Sequence, residues 1–176
     1  GGDNPAKALE RVTPADVQGL NEGMQRYGLL LNDGGTIIDD FMFTHLAGEK
    51  DLYLVVNGAT KENDFAFMAE KLKDVATLSP KPDRGLLALQ GPAAGKILER
   101  LSPGINTLTF MHVRRAIVAG CPAIVSRSGY TGEDGFEISL DGKDVEKVAR
   151  ALLADPDVLP IGLAARDSLR LEAGLC

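Results

Sequence analysis

The sequence predicts an α+β fold, antiparallel sheets flanked by helices, arranged as two lobes. Strand candidates come in turn-linked pairs rather than alternating strictly with helices, which argues against a doubly wound parallel sheet. Helix-period segments follow those pairs. The segment Ser79-Pro80-Lys81-Pro82-Asp83 is the best candidate for a boundary, so the lobes are expected at residues 1–82 and 83–176.

Residues 4–11 and 14–20 read as short helices, each with a proline near its first turn. Residues 26–31 and 36–44 flank the turn residues Asn32-Asp33-Gly34-Gly35 and form a hairpin. Residues 51–56 make a third strand. Residues 61–73 make a helix with Phe65, Met68, Ala69 and Leu72 on one face. In the second half, residues 85–89 are a short buried strand, and Gly91-Pro92 leads into a helix through Leu101. Residues 113–119 and 123–127 are strands separated by Gly120-Cys121-Pro122. Residues 136–140 alternate as a strand, and residues 143–153 and 162–173 are helices.

With 44% hydrophobic and 25% charged residues, the 176-residue chain has the balance of a core-forming protein and not of a disordered one. It contains no apolar run long enough to span a bilayer. Nineteen Lys and Arg against 25 Asp and Glu leave a net charge of −6. That sign argues against nucleic acid or an anionic membrane as partner, while leaving room for a local cationic pocket. Cys121 and Cys176, with His45 and His112, are too few for a zinc knuckle or a disulfide framework. No metal is therefore expected, and a reducing intracellular compartment suits the chain. No signal peptide is read at the start. The absence of an initial Met, and a helical pattern running to the end without a C-capping signal, read as a piece of a longer protein.

Three segments carry candidate chemistry. In Ile37-Ile38-Asp39-Asp40-Phe41-Met42-Phe43, strand alternation puts Asp39 on a face with Ile37, Phe41 and Phe43, and Asp40 on the other with Ile38 and Met42. The two acids are not a same-face pair. Whichever face is buried, one carboxylate lies among large apolar side chains, a costly position unless it is hydrogen-bonded or functional. The plainer reading is an edge strand with both acids in solvent. In the run 128–137, three glycines within seven residues permit a tight turn beside a ligand. Phe136, Ile138 and Leu140 then share one face, which sends Glu137 and Ser139 to the other. Glu137 can accept two parallel hydrogen bonds from a guanidine-like edge; the plainer reading is an ordinary glycine-rich hairpin. In the last helix Arg166 and Arg170 lie four apart on one face, mildly unfavourable without an anionic partner. That partner is Glu137, a ligand carboxylate, or merely solvent and Asp167. The segment Gly91-Pro92-Ala93-Ala94-Gly95 lacks the lysine and spacing of a phosphate loop, and Ser128 lies in no G-x-S-x-G elbow. His45 and His112 read as structural.

Jointly these segments are more specific than any alone. The runs SGYTGEDGFE (128–137) and GLAARDSLRLEAGL (162–175) resemble the two signature blocks of the aminomethyltransferase family, the T-proteins of glycine cleavage. The hairpin 32–40, the strand Leu54-Val55-Val56-Asn57 and the block 87–92 fall in the family's order, so the resemblance covers nearly the whole chain. It implies part of a multi-domain folate-binding fold, with a ferredoxin-like first lobe carrying Asp39 and a second carrying Glu137 and Arg166. The family's N-terminal segment and C-terminal β-barrel domain are missing from it. It implies a reaction in which the aminomethyl group on the lipoyl arm of H-protein passes its carbon to tetrahydrofolate. The products are 5,10-methylenetetrahydrofolate and ammonia. By motif position, Asp39 matches the catalytic carboxylate, Glu137 the glutamate that grips the pterin, and Arg166 a ligand-binding arginine. Tyr130 matches a pocket wall, and Tyr27 and Asn57 match pocket-lining positions. Tetrahydrofolate is implied as co-substrate, with no metal. Lipoylated H-protein is the implied partner, without nucleic acid or membrane, in bacterial cytoplasm or the mitochondrial matrix. One departure is that the family's two adjacent glycines before the apolar pair of the hairpin are here Gly35-Thr36.

Two alternatives stay open. Related folate-binding domains occur in dimethylglycine and sarcosine dehydrogenases and in a sulfonium demethylase, whose last helix resembles this one less. A non-catalytic folate-binding branch carries a Lys-Gly-Cys-Tyr-x-Gly-Gln motif that is absent here.

Overall fold

The computed structural model describes residues 1–175; Cys176, one of the two cysteines weighed above, lies outside them. The chain divides into two compact units, Gly1–Lys81 and Pro82–Cys176.

The first unit opens with α1 (Pro5–Leu9), whose N-cap Asn4 accepts from the Lys7 N–H and whose first position is proline, both favourable at a helix start. Residues 14–20 are not the second helix expected. There the Glu10 carboxylate accepts the Val17 and Gln18 N–H groups, each at 2.9 Å, and Asp16 accepts the Gly19 N–H at 2.8 Å. Side-chain acceptors close at hand thus satisfy amides that a helix would otherwise need. Val17 and Leu20 still reach the core.

Strands β1 (Met24–Leu31), β2 (Ile37–His45) and β3 (Leu52–Val56) form one antiparallel sheet in sequence order. Asn32 closes the first turn, accepting the Gly34 and Thr36 N–H groups through its side chain, while Gly35 takes φ +77°. Pairing runs Leu30 to Asp39 but Leu31 to Ile37, so Ile38 is an extra residue that bulges β2 immediately before Asp39. The strict alternation expected through Ile37 breaks there. Ile37 is 59% exposed, while Phe41 and Phe43 are buried with Leu30, Met68 and Leu72. Helix α2 (Lys61–Leu72) covers this face with Asp64, Met68 and Leu72. Ala69, expected on that face, is exposed.

The second unit contains β4 (Arg84–Gln90), α3 (Ala94–Leu101), β5 (Val113–Val118), β6 (Cys121–Ser126), β7 (Gly135–Asp141), α4 (Gly142–Leu153) and α5 (Leu163–Glu172). Its antiparallel sheet has the order β4-β7-β6-β5. The β5–β6 hairpin turns on Ala119 and Gly120, both at positive φ, so Cys121 begins a strand and is not part of the turn as expected. Phe136, Ile138 and Leu140 pack with Val125, Leu98 of α3 and Val148 of α4 in the core. Period 2 therefore leaves Glu137 on the opposite face, between Ala88 of β4 and Ser126 of β6. Helix α5 ends on a Schellman motif that the sequence reading missed. Gly174 takes φ +70°, its N–H donates to Leu171 O at 3.0 Å, and Leu175 N–H reaches Arg170 O at 2.9 Å.

No helix among the described residues is long and apolar enough to cross a membrane.

Candidate functional site

Each unit holds one constellation. In the first, Asp39 follows the bulge on β2 and lies half-buried, two residues before the buried Phe41. The start of α2 and the turn before it supply its partners. Asn57 Nδ2 stands 3.0 Å from Asp39 Oδ1 and 2.9 Å from Asp40 Oδ1, so a single amide bridges acids whose side chains leave opposite faces. The Asp40 N–H donates to Asp39 Oδ1 at 2.8 Å. Thr60, the N-cap of α2, makes no side-chain cap; its hydroxyl donates instead to Asp39 Oδ2.

Burial pulls the Asp39 carboxyl up, but the hydrogen bonds from Thr60, the Asp40 amide and Asn57 prevail and leave it below the ordinary carboxylate range. Asp39 is therefore an ionised carboxylate held by several donors. It can stabilise a developing ammonium or iminium, or take a proton.

Sequence reasoning missed Thr60 and Asp64. Asp64 is fully buried with no hydrogen-bond partner within ordinary geometry for either oxygen. Burial first, and then the Asp39 charge beside it, push its carboxyl up to about 6. A sign of this was available: Asp64, Met68 and Leu72 recur at i, i+4 and i+8, which places a carboxylate on the apolar face of the helix. Tyr27 pairs with Met42 across β1 and β2 on the sheet face opposite Asp39 and is 49% exposed.

In the second unit, the loop between β6 and β7 folds around Gln90. Its Nε2 donates to Ser128 O at 2.9 Å, and its Oε1 accepts from Thr131 Oγ1 at 3.0 Å. Gly129 and Gly135 are spaced for this side chain: a Cβ on either would stand 1.8 Å or 2.4 Å from a Gln90 atom. Arg127 and Asp134 clamp the loop ends through bonds of 2.8 and 2.7 Å. This pair holds the Asp134 carboxyl below its ordinary range.

Glu137 follows on β7, half-buried, with Oε2 accepting from Ser128 Oγ at 2.5 Å, and Ser128 Oγ lies 2.8 Å from Ser126 Oγ. The serine chain fixes one oxygen and leaves acceptor capacity on the carboxylate for a planar N–H edge. Arg166 lies over the Tyr130 ring at 4.5 Å from the centroid. Arg170 pairs with Asp167 at 2.9 Å, which answers for one of the two arginines the sequence left seeking a partner. Gly132, at φ +78°, brings the loop against Ala173; a Cβ there would stand 2.4 Å from the Ala173 methyl.

His45 and His112 sit on backbone and hydroxyl partners, Leu20 O and Thr109 Oγ1. Among the described residues no group of three or more His, Cys, Asp and Glu is arranged to hold a metal ion.

Comparison with known proteins gives one family. The GCVT N-terminal domain matches residues 1–176. The mitochondrial aminomethyltransferase of Saccharomyces cerevisiae is 41% identical over 99% of this chain and 46% of its own length. An aminomethyltransferase of Listeria monocytogenes is 40% identical over 99% of this chain and 48% of its own. The chain thus spans about half the length of the curated relatives it matches. The crystal structure of glycine cleavage system aminomethyltransferase T from Bartonella henselae superimposes with a TM-score of 0.90 at 41% identity, covering 99% of this chain and 47% of that one. A heterotetrameric sarcosine oxidase from Corynebacterium sp. U-96 matches with a TM-score of 0.56 at 17% identity, over 96% of this chain and 76% of that one, a likeness of fold alone.

Proposed function

Since this chain belongs to the GCVT N-terminal domain family, we propose that it is the folate-binding portion of an aminomethyltransferase of the glycine cleavage system. The protein takes the aminomethyl group from the lipoyl arm of H-protein, passes its carbon to tetrahydrofolate and releases ammonia. The observation that carries this reading is the TM-score of 0.90 at 41% identity to the Bartonella protein over 99% of the chain. Relatives with these names are both mitochondrial and bacterial, and the chain serves in the mitochondrial matrix or the bacterial cytoplasm.

The residues divide the work by their chemistry. Glu137 accepts the two adjacent N–H groups of the pterin's aminopyrimidine edge, its second oxygen already oriented by Ser128. Tyr130 offers a flat wall for the ring, and Arg166 above it supplies the cation for the anionic end of the ligand. Asp39, ionised and fixed by Thr60 and Asn57, stands as the carboxylate that handles charge and proton on the attacking amine. Asn57 contributes by holding Asp39, and Tyr27 lines the outer face of the first sheet.

Titration of tetrahydrofolate into the protein and its Glu137→Ala variant tests the reading. Saturable binding that the variant weakens at least about tenfold is expected from loss of a charge-assisted hydrogen-bond pair. Equal binding by both removes the pterin from Glu137.

A further inference from the structure

Asp64 is the strangest charge in the molecule. Its carboxyl is fully buried on the apolar face of α2 beside Met68 and Leu72, and neither oxygen has a partner within ordinary geometry. An ionised carboxylate in that position has lost its water, and the one hydroxyl that faces it, Thr60, already donates to Asp39. One proton changes the account, because a protonated carboxyl is itself a donor, and the acceptor beside it is Asp39. The ionisable groups that act on Asp64 are Asp39 and Asp40, both from β2; the Thr60 hydroxyl faces it from the start of its own helix. No Lys or Arg pairs with any of the three acids among the described residues.

We propose that Asp39 and Asp64 act as a single proton acceptor that takes up one proton between them, with Asp39 the carboxyl offered to substrate and Asp64 its buried partner. The inference rests on the assignment of Asp39 to the proposed transfer. Asp39 alone, held ionised by Thr60 and Asn57, is a weak base. Two adjacent carboxyls do not both stay charged at small cost, so the pair takes up its first proton at higher pH than either acid alone. That brings the acceptor toward neutrality, where a general base is effective. The rise of Asp64 to about 6 agrees with this.

In the transfer the attacking folate nitrogen loses its proton to the pair as the new N–C bond forms. The proton then goes to the departing aminomethyl nitrogen as its C–N bond breaks, so that nitrogen leaves as ammonia; the second folate nitrogen closes onto the same carbon as the C–S bond breaks, and its proton goes to the lipoyl sulfur, which leaves as a thiol. Asp64 touches neither reactant and is a positioning residue acting through Asp39.

Carbon-13 NMR titration of aspartate carboxyls, without folate, tests the pair directly. A step near pH 6 shared by the Asp39 and Asp64 resonances is expected, abolished in Asp64→Asn. Independent titration of every aspartate below pH 5 overturns the proposal, and the unmodified protein alone decides this. In the full-length enzyme, turnover should rise with pH through a midpoint near 6. Asp64→Asn, whose amide still donates to Asp39, should move that midpoint down by a pH unit or more. Its plateau should fall about tenfold with folate affinity unchanged. A profile superimposable on the parent's overturns the proposal. If the shared step is absent while Asp39→Asn still abolishes turnover, only this inference fails. If the step is present and Asp39→Asn turns over normally, the acceptor role and the assignment of Asp39 fall together.

Discussion

The guanidinium of Arg166 lies over the ring of Tyr130, 4.5 Å from its centroid, joining α5 to the glycine loop that leads to Glu137. Arg166 is exposed, so the contact is worth about 0.5–1 kcal/mol. Arg166→Ala should accordingly leave the urea midpoint within that range while weakening folate binding several-fold or more. Arg166→Lys, which keeps charge without the planar stack, should restore affinity only in part. Paired denaturation and binding curves check both statements.

Asp39→Asn should cost far more in turnover than in folate affinity. Asparagine preserves the shape but carries no charge to stabilise an ammonium and no lone pair basic enough to take its proton. A loss of about 10²-fold or more in kcat with Kd changed less than threefold is expected in the full-length enzyme. Comparable losses in both would remove Asp39 from the chemistry.

The two glycines around Gln90 should differ. The three atoms nearest a Cβ on Gly129 all belong to the Gln90 amide, which can swing away at the expense of its bonds to Ser128 and Thr131. A Cβ on Gly135 also stands 2.6 Å from the main-chain oxygen of Leu89, which belongs to a paired strand. Gly135→Ala should cost about 1–3 kcal/mol and Gly129→Ala less, by chemical denaturation.

Stability should depend on pH through Asp64. Its native carboxyl titrates near 6 against an ordinary 3.8, so the native state holds the proton more tightly than the unfolded chain. Stability from this group is greatest below pH 3.8 and declines as pH rises through 6, by at most about 3 kcal/mol. Asp64→Asn should flatten that segment of the stability–pH curve and raise stability above pH 7. A variant no more stable than its parent at pH 8 would contradict this.

Arg127 should matter structurally. It binds Asp134 in two places, donates to the carbonyls of Asn106 and Leu108, and lies 5.3 Å from the Phe136 ring centroid. Arg127→Ala leaves those carbonyls without their donor and should cost about 1–3 kcal/mol, seen as a lower melting temperature. The Asp134 share of that stability is present above pH 4 and fades as pH falls through its depressed native value.

The sequence alone determined the α+β class, the paired strands and the separation of Phe136, Ile138 and Leu140 from Glu137. Strand period and turn chemistry are local, and they are written in neighbouring residues. The run of glycines at 129–135 likewise announced a loop of unusual backbone. What only the tertiary structure decided is who meets whom. The bulge at Ile38 depends on how β1 and β2 pair, and it broke an alternation that the residues themselves suggested. Residues 14–20 carry a helical pattern, yet Glu10 and Asp16 captured their amides. Gln90 sits far in sequence from the loop it holds, and Thr60 and Asp64 lie more than twenty residues from the carboxylate they surround. Asp64 was legible as a charge on an apolar helix face. Its meaning was not, because the part a buried acid can play depends on the groups packed against it, and for a residue of helix α2 these come from strand β2.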